Sequence, residues 1–365
     1  MRYARIAILA GLSAMALSCG GGLDKPFPIE WAPELTDALM PGHGGISSGD
    51  GVYSVGLPDG RVLFMMGDSF WAPIAEDGTR DPASHMYRNS FIVYDNGKVN
   101  SMVGSTEEFR SAAVPPGVTD EWQEWYWPGD GVVSDGKLLV FQHYMYQAEP
   151  GMWGFAEKRT RLQEYSLPDI KLLSDKDFPA GITPQGLVFG AAALTDGDYV
   201  YAYAQKDLKA EDGKASSVAY AARAKKDEIY DSWEYFTASG WSSDPEGLKP
   251  MEGLGDVEIS AQFGVFPLRN KFVLVSEQKN IFENKIWAFV ADRPEGPWGK
   301  GKMICEMPPE DKCFLYNAMP HPEMEKDGKF PISYCVNAAD PDDLFKNVDY
   351  YRPRFFLVKV KDILK

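Results

Sequence analysis

The chain has 365 residues, and its 53 acidic residues outnumber its 37 basic residues, which gives a formal net charge of −16. Its basic residues do not cluster, so the sequence argues against a nucleic acid as partner, because binding to phosphates needs a concentrated positive surface. The length suffices for one large domain with a sizeable core.

The first residues predict export. Two arginines, Arg2 and Arg5, precede an apolar run, 6–17, that is too short to span a bilayer. The run ends in Ala-Leu-Ser before Cys19, which resembles a bacterial lipoprotein processing site. We therefore predict a signal peptide over 1–18, a lipid on Cys19 and a tether over 19–44 that leads into the fold. The protein would be anchored in the cell envelope, in the periplasm or at the outer-membrane surface. An ordinary secretory signal cleaved nearby is the alternative.

Five tight turns between apolar, alternating segments dominate the rest of the chain. They are Asp59-Gly60, Asp135-Gly136, Asp196-Gly197, Arg269-Asn270 and Asp327-Gly328. Asp-Gly between such segments predicts a β-hairpin, because a type I′ turn needs positive φ at both central residues. The turns recur roughly every 60 to 75 residues, and a repeat of this kind indicates a repeat architecture.

A second pair of strands is predicted after the hairpins. Examples are 90–94 and 98–102 around the turn 95–97, 217–223, 285–291 and 354–360. Four strands per repeat are typical of a propeller blade. We predict an all-β fold, a five-bladed β-propeller with four antiparallel strands per blade over residues 45–365. A β-sandwich is the alternative.

Two acidic residues occupy the same Gly-Asp-Gly setting at the start of an inner strand, Asp50 and Asp130. Glycine on both sides leaves a carboxylate uncovered. Inner strands of a propeller converge on a central channel, so these side chains are expected to face each other. Two facing carboxyl groups are the basic requirement of glycoside hydrolysis. In the alternative, each Asp caps a turn or accepts hydrogen bonds from backbone amides.

Further candidates lie near these strand starts and ends. Asp68 follows a predicted apolar strand and is the third predicted catalytic residue. Arg88 would pair with either Asp68 or Asp50, and this pair would keep that carboxyl group ionised. Tryptophans near the acids offer flat faces for sugar rings. The predicted substrate-binding residues are Arg88, Asn89, Trp71, Trp127, Gln262, Glu258, Asn317, His321 and Arg352.

Several chemistries lack a signature. The sequence has no Gly-rich phosphate loop, no His-x-x-x-His pair and no Gly-x-Ser-x-Gly motif. Cys-x-x-Cys spacing for zinc is also missing. We therefore predict no metal and no cofactor. Export permits a disulfide between Cys305 and Cys313, and this possibility stays open.

Six segments resemble a family of exported bacterial domains of formerly unknown function that is related to endo-D-arabinanases. They read GDGVYSVGLPDGRVLFMMGDSFW, RNSFIVYD, WYWPGDGVV, GPWGKGKM, YNAMPHPE and YYRPRF, and they span about residues 45–356. The resemblance implies a five-bladed glycosidase fold with acids on successive inner strands, which Asp50 and Asp130 would supply. Gln262 stands where the resemblance leads us to expect an acid, and the third repeat has no acid on its inner strand.

The leading interpretation is thus a glycoside hydrolase that acts on a furanose-containing, arabinan-like or related polysaccharide through carboxylate acid/base chemistry. A polysaccharide or oligosaccharide would be its partner, and its contact with the membrane would be the lipid anchor alone. A glycan-binding lipoprotein without catalysis is the second interpretation. A structural or protein-interaction propeller is the third.

Overall fold

The computed structural model describes residues 26–209, 215–255, 257–279 and 284–365. Within them, the strands form six antiparallel sheets of three to five strands, and the helices are short. The predicted all-β class is confirmed. The predicted signal peptide and Cys19 lie outside the described residues. No helix in the described ranges has the length and apolar character needed to cross a membrane.

The first described elements belong to the segment predicted as a tether. They are β1 (Glu30–Trp31) and α1 (Pro33–Leu39). Pro33 suits the first helical position, where its missing N–H costs nothing. β1 pairs with residues near the other end of the chain, Glu30 opposite Leu357. This pairing joins the two ends of the described fold in one sheet.

The next segment of the chain builds two sheets. Its strands are β2 (Ile46–Gly49), β3 (Tyr53–Gly56), β4 (Val62–Met66), β5 (Ser69–Trp71), β6 (Met86–Tyr87), β7 (Ser90–Asp95) and β8 (Lys98–Met102). The first four-stranded sheet has the order β3-β4-β7-β8. The other sheet is small and consists of β2, β5 and β6, whose strands alternate in the chain with those of the first sheet. The sequence did not predict it.

Three further sheets follow in chain order. The second contains β9 (Glu124–Ser134), β10 (Lys137–Gln147), β11 (Phe155–Ser166) and β12 (Leu172–Asp177). The third contains β13 (Ala192–Asp196), β14 (Tyr199–Lys209), β15 (Ala215–Lys225), β16 (Glu234–Thr237) and β17 (Gly240–Ser242). The fourth contains β18 (Gly264–Leu268), β19 (Lys271–Glu277), β20 (Lys285–Ala291) and β21 (Lys302–Glu306).

The fifth sheet combines the end of the chain with its first described strand. It consists of β22 (Cys313–Pro320), β23 (Lys329–Ala338), β24 (Arg354–Lys359) and β1. Two short helices, α2 (Asp343–Lys346) and α3 (Val360–Ile363), flank β24 in the chain. Short 3₁₀ turns occur at Pro179–Gly181, Pro245–Gly247, Pro322–Met324 and Val348–Tyr351.

All five predicted turns connect two paired antiparallel strands. Both central residues have positive φ at Asp135-Gly136 and at Asp327-Gly328, as a type I′ turn requires. At Asp59-Gly60 and at Asp196-Gly197 only the glycine has positive φ, and at Arg269-Asn270 only Arg269 has. The sequence therefore located all five hairpins, although two of the five turns have the pair of positive φ values that type I′ requires.

The apolar side chains of the described residues form five clusters, and four of them lie between two sheets that follow one another in the chain. They join sheets one and two, two and three, three and four, and four and five. The remaining cluster includes Phe64 and Ile92 of the first sheet and Cys335 and Phe355 of the fifth. The fifth sheet therefore packs against the first.

His321 lies in this contact between the fifth sheet and the first. Its Nδ1 is 2.6 Å from Ser54 Oγ and its Nε2 is 2.9 Å from Ser333 Oγ. The ring lies between Phe64 and Phe355, with centroids 5.3 and 5.4 Å away, and is fully buried. Burial lowers the pKa of His321 to about 3, so the ring is neutral. The sequence predicted that His321 binds substrate. In the structure, the ring is enclosed between the two sheets, and its hydrogen bonds to Ser54 and Ser333 connect them.

Gly129 provides a test of the packing between the second and third sheets. A Cβ there would lie 2.3 Å from the Gly190 carbonyl oxygen and 2.7 Å from His143 Nε2. We expect Gly129→Ala to lower the free energy of unfolding by about 1–3 kcal/mol, as overpacking does. Urea denaturation measures the loss. Gly255→Ala, where a Cβ meets open space, is the control. Equal stability of the two variants would contradict the packing described.

Candidate active site

Two acidic side chains lie together where the strands of the small sheet end. Asp50 directly follows β2 and Asp68 directly precedes β5, and these strands pair. The backbone N–H of Asp50 donates to the Asp68 carbonyl at 3.2 Å, and that of Gly67 donates to the Asp50 carbonyl at 2.8 Å. A Cβ on Gly67 would lie 2.5 Å from Asp50 Oδ1. A glycine at 67 thus makes room for the Asp50 carboxyl group.

Asp68 receives two side-chain donors. Arg88 Nη1 is 3.0 Å from Oδ2, and Trp127 Nε1 donates to Oδ1 at 2.8 Å. The guanidinium carbon of Arg88 lies 3.8 Å from the centre of the Trp125 ring. The Asp68 side chain keeps 16% of its surface exposed and that of Arg88 keeps 9%. Of the two acids that the sequence offered to Arg88, the structure pairs it with Asp68.

Asp50 is held from the fifth sheet and the turn that precedes its last strand. The Tyr316 hydroxyl donates to Asp50 Oδ2 at 2.6 Å, and Asn337 Nδ2 donates to the same hydroxyl at 3.3 Å. The Tyr351 hydroxyl donates to the Asp68 backbone carbonyl at 3.0 Å. Both tyrosines were missing from the predicted site. The motifs YNAMPHPE and YYRPRF contain them, but nothing in the spacing assigned them to Asp50 and Asp68.

The two acids have different electrostatic surroundings. Burial and, after it, the Asp68 charge raise the pKa of Asp50 to about 7, against the opposing effect of hydrogen bonds from Tyr316 and Tyr351. Burial also raises the pKa of Asp68, but Arg88 and Trp127 oppose the rise directly. Asp50 is therefore the member that retains a proton near neutral pH, and Asp68 is the member that ionises. A general acid and a general base need this difference.

Asp130 has a separate set of partners. Its Oδ1 accepts from the Gly131 N–H and its Oδ2 from the Ala193 N–H, each at 2.8 Å. Burial raises its pKa to about 7, which these backbone donors oppose. These bonds match the alternative role that the sequence left open, in which the Asp130 carboxyl group accepts hydrogen bonds from backbone amides. The bond from Ala193 also links the second sheet to the third.

Three further acids lie in other parts of the fold: Glu277 is buried, Glu323 is half-buried and Glu157 is exposed. Burial raises the pKa of Glu277 to about 8, and the backbone N–H of Asn317 donates to it. Burial likewise raises the pKa of Glu323 to about 7. Glu157 lies 2.5 Å from His143 Nδ1, and His143 pairs in register with Trp127. Glu157 and Glu277 belong to the second and fourth sheets, and Glu323, which ends the segment YNAMPHPE, lies in the turn between β22 and β23.

An arc of aromatic rings runs from Asp68 to Asp50. Trp127 contacts Phe155, with centroids 4.8 Å apart, and Phe155 contacts Trp153 at 6.4 Å. Trp153 reaches Phe314 of the fifth sheet at 6.3 Å, and Phe314 contacts Tyr316 at 5.3 Å. Trp153 is 70% exposed. The arc thus places flat apolar surfaces beside two carboxyl groups, a combination that suits sugar rings.

The other residues that were predicted to bind substrate lie in different parts of the structure. Asn89 is fully buried and bonds to Ala113 and to the Tyr126 carbonyl. Arg352 donates to the Met40 carbonyl and to Asp37. Glu258 and Gln262 are half-buried before β18, and Gln262 Oε1 has no partner in the described part of the chain. Trp71 lines a different pocket with Tyr87.

The described residues contain no group of three His, Cys, Asp or Glu side chains arranged to hold a metal ion. Cys305, Cys313 and Cys335 are free thiols. The disulfide that the sequence left open between Cys305 and Cys313 is therefore not formed in this structure. Burial raises the pKa of Cys305 to about 12, which keeps its thiol protonated.

Comparisons with known proteins place this geometry in context. The family described as Domain of unknown function (DUF5005) matches residues 36–361. No curated protein matches the chain. A proposed hydrolase from Bacteroides ovatus is 20% identical with a TM-score of 0.75, and the match covers 92% of this chain and 95% of that one. This likeness shows a shared fold.

Two glycosidase structures are more distant. A mutant of the alpha-L-arabinanase of Cellvibrio cellulosa is 10% identical with a TM-score of 0.50, over 87% of this chain and 92% of that one. A GH43_1 enzyme from Xanthomonas citri complexed with xylotriose is 12% identical with a TM-score of 0.48, over 89% and 92%. At these identities the arabinanase supports the fold alone.

Arg88→Met tests the electrostatics of the pair. Removing the cation leaves Asp68 without its charged partner and raises the Asp68 pKa further. When the pKa of a carboxyl group is higher in the folded protein than in the unfolded chain, its proton stabilises the fold at low pH. This stabilisation is lost as the pH rises through the pKa of the folded state. We therefore expect a small loss of stability at pH 4.5 and a loss of about 3 kcal/mol at pH 8.

Urea unfolding at the two pH values measures this difference. Arg159→Met is the control, because the Arg159 side chain is 42% exposed and its partner Asp177 is 53% exposed. A loss that is equal at pH 4.5 and pH 8 would show that Arg88 contributes packing on Trp125 rather than charge.

Proposed function

The chain belongs to the DUF5005 family of domains of unknown function, and we propose that it is a glycoside hydrolase acting on a furanose-containing, arabinan-like or related polysaccharide. One observation carries the proposal. Asp50 and Asp68 are adjacent acids whose surroundings favour opposite protonation states, and an aromatic arc connects them. Hydrolysis of a glycosidic bond needs one carboxylic acid and one carboxylate.

We further propose that the five larger sheets are the blades of a five-bladed β-propeller. The clusters between successive sheets, with the last cluster between the fifth sheet and the first, support a closed ring. The pairing of β1 with β24 supports the same closure, since it joins both ends of the chain in one blade. Radial repetition of this kind leaves only short sheet edges.

In the proposed reaction, Asp50 is the general acid. Its carboxyl proton passes to the glycosidic oxygen as the bond from that oxygen to the anomeric carbon breaks. Asp68 is the carboxylate, which takes a proton from the attacking water or attacks the anomeric carbon itself, in the two known variants of this chemistry. Arg88 and Trp127 keep Asp68 ionised through charge-assisted hydrogen bonds.

The alternative is a glycan-binding lipoprotein without catalysis. The absence of an acid at position 262 and the 70% exposure of Trp153 favour it, since a binding surface needs aromatic faces and no acid. Both interpretations agree on a polysaccharide or oligosaccharide partner. They differ in whether sugar reducing ends are released.

Asparagine substitutions decide between the two. In an enzyme, Asp50→Asn and Asp68→Asn remove proton transfer while keeping side-chain size, so each is expected to lower turnover by about 10²- to 10⁴-fold. Oligosaccharide binding should survive. Turnover of the wild type should fall as the pH rises through about 7, because Asp50 then loses its proton. A reducing-end assay on arabinan and xylan between pH 4 and 9 measures both effects.

Asp135→Asn is the matched control, because Asp135 belongs to a surface turn. Wild-type protein that binds a glycan but releases no reducing ends would establish the binding interpretation. Full turnover in Asp50→Asn would instead refute its role as the general acid. Strong loss in Asp130→Asn with none in Asp68→Asn would restore the pair of Asp50 and Asp130 that the sequence first suggested.

We also propose that the protein is exported and held in the bacterial cell envelope by a lipid on Cys19, with residues 1–18 removed. The support is the arrangement of Arg2, the apolar run and Cys19 in the sequence. Cys19→Ala is expected to move the protein from the membrane fraction to the soluble exported fraction, as immunoblotting of fractions measures. Membrane association that persists in this variant would contradict the anchor.

A further inference from the structure

A separate pocket lies on the β5–β6 hairpin, which carries Asp68 and Arg88 at its base. Asp68 precedes β5 and Arg88 follows β6, and these two strands pair with each other. Further along the hairpin, Trp71 and Tyr87 form one wall of a pocket of about 280 Å³. Trp71 lies three positions after Asp68 in extended chain, a distance of about 10 Å.

The pocket is lined mainly by rings. Tyr87 contacts Trp71 edge to face at 6.4 Å and His85 at 5.1 Å. His85 in turn stacks on Phe109, with centroids 4.6 Å apart and an angle of 28° between the planes. The polar lining residues are Asp81, Ser84 and Thr106. Apolar faces beside a few hydroxyl and carboxylate groups are typical of small-molecule sites.

Phe109 presents an exposed ring from a strained position of the backbone. Its φ is 53°, the left-handed region that a bulky residue rarely adopts, and the side chain is 52% exposed. Backbone hydrogen bonds between Ser105 and Arg110 close the loop around it. Strained backbone that displays an exposed aromatic ring points to a ligand.

The charge of the lining selects among ligands. Asp81 is acidic, and neither Lys nor Arg lines the pocket. An anionic ligand, such as a nucleotide or a uronic acid, would meet repulsion without a compensating cation. A neutral sugar unit has apolar faces for Phe109 and Trp71 and hydroxyl groups for Asp81 and Ser84.

We propose that the pocket of Trp71, His85, Tyr87 and Phe109 is a distal subsite for a neutral sugar unit of a glycan chain whose other units occupy the Asp50–Asp68 site. This inference rests on the proposed function, because it takes the glycan as the ligand of both sites. The subsite would favour long chains over short ones, since only a chain of several units reaches both positions.

Calorimetry with sugars of two lengths tests the proposal. The probes are α-1,5-linked arabinohexaose and arabinobiose, with xylohexaose and xylobiose as a second pair. Phe109→Ala and His85→Ala are expected to weaken binding of a hexasaccharide about tenfold, or about 1.4 kcal/mol. Binding of the disaccharide, which needs only the acid site, should stay the same. Leu172→Ala is the matched control, because Leu172 is 53% exposed on another sheet.

The outcomes separate this proposal from the proposed function. Hexasaccharide hydrolysis with unchanged affinity in Phe109→Ala and His85→Ala would overturn the subsite and leave the hydrolase standing. Length-dependent binding that both variants lose, without hydrolysis, would support the subsite and refute the enzyme. Equal weakening of the disaccharide would make the pocket a primary site and overturn its distal role. If no probe binds, both proposals fail. If Phe109→Ala does not fold, His85→Ala alone decides.

Discussion

The packing of the fifth sheet against the first is the constraint on which the candidate site depends. Asp50 and Asp68 flank the strands of the small sheet, whereas Tyr316 and Tyr351 come from the fifth sheet and the turn before its last strand. His321 between two serines, the pairing of β1 with β24 and an apolar cluster hold the sheets together. The acids acquire their environment only because these contacts form.

The site itself works against stability. Burying two carboxyl groups beside one guanidinium costs desolvation energy that one ion pair does not fully return. The raised pKa values of both acids express this cost. Burial and the Asp68 charge favour the proton on Asp50, while Arg88 and Trp127 favour ionisation of Asp68. The apolar clusters between the sheets supply stability that offsets this cost.

Much of the architecture was predictable, because hairpin signals are local. Asp135-Gly136 and Asp327-Gly328 encode their own turns through positive φ, and the neighbouring segments pair as expected. Asp50, Asp68, Arg88 and Trp127 were also identified from strand ends. The partners of Asp50 were not, because Tyr316 lies 266 residues away and reaches it only through the arrangement of sheets. The burial of His321 was missed for the same reason, since flanking prolines describe its backbone but not its neighbours.

The separation between Asp50 and Tyr316 has a consequence for biogenesis. On the ribosome, both acids emerge long before the tyrosines that complete their surroundings, so a nascent chain carries an unfinished centre. Contacts of such long range also form slowly, because a large loop must close first. A chain cut short before β22 would keep four larger sheets and both acids, yet lack the fifth sheet. The assembled centre therefore appears only after Tyr351 has been translated and the last sheet has docked.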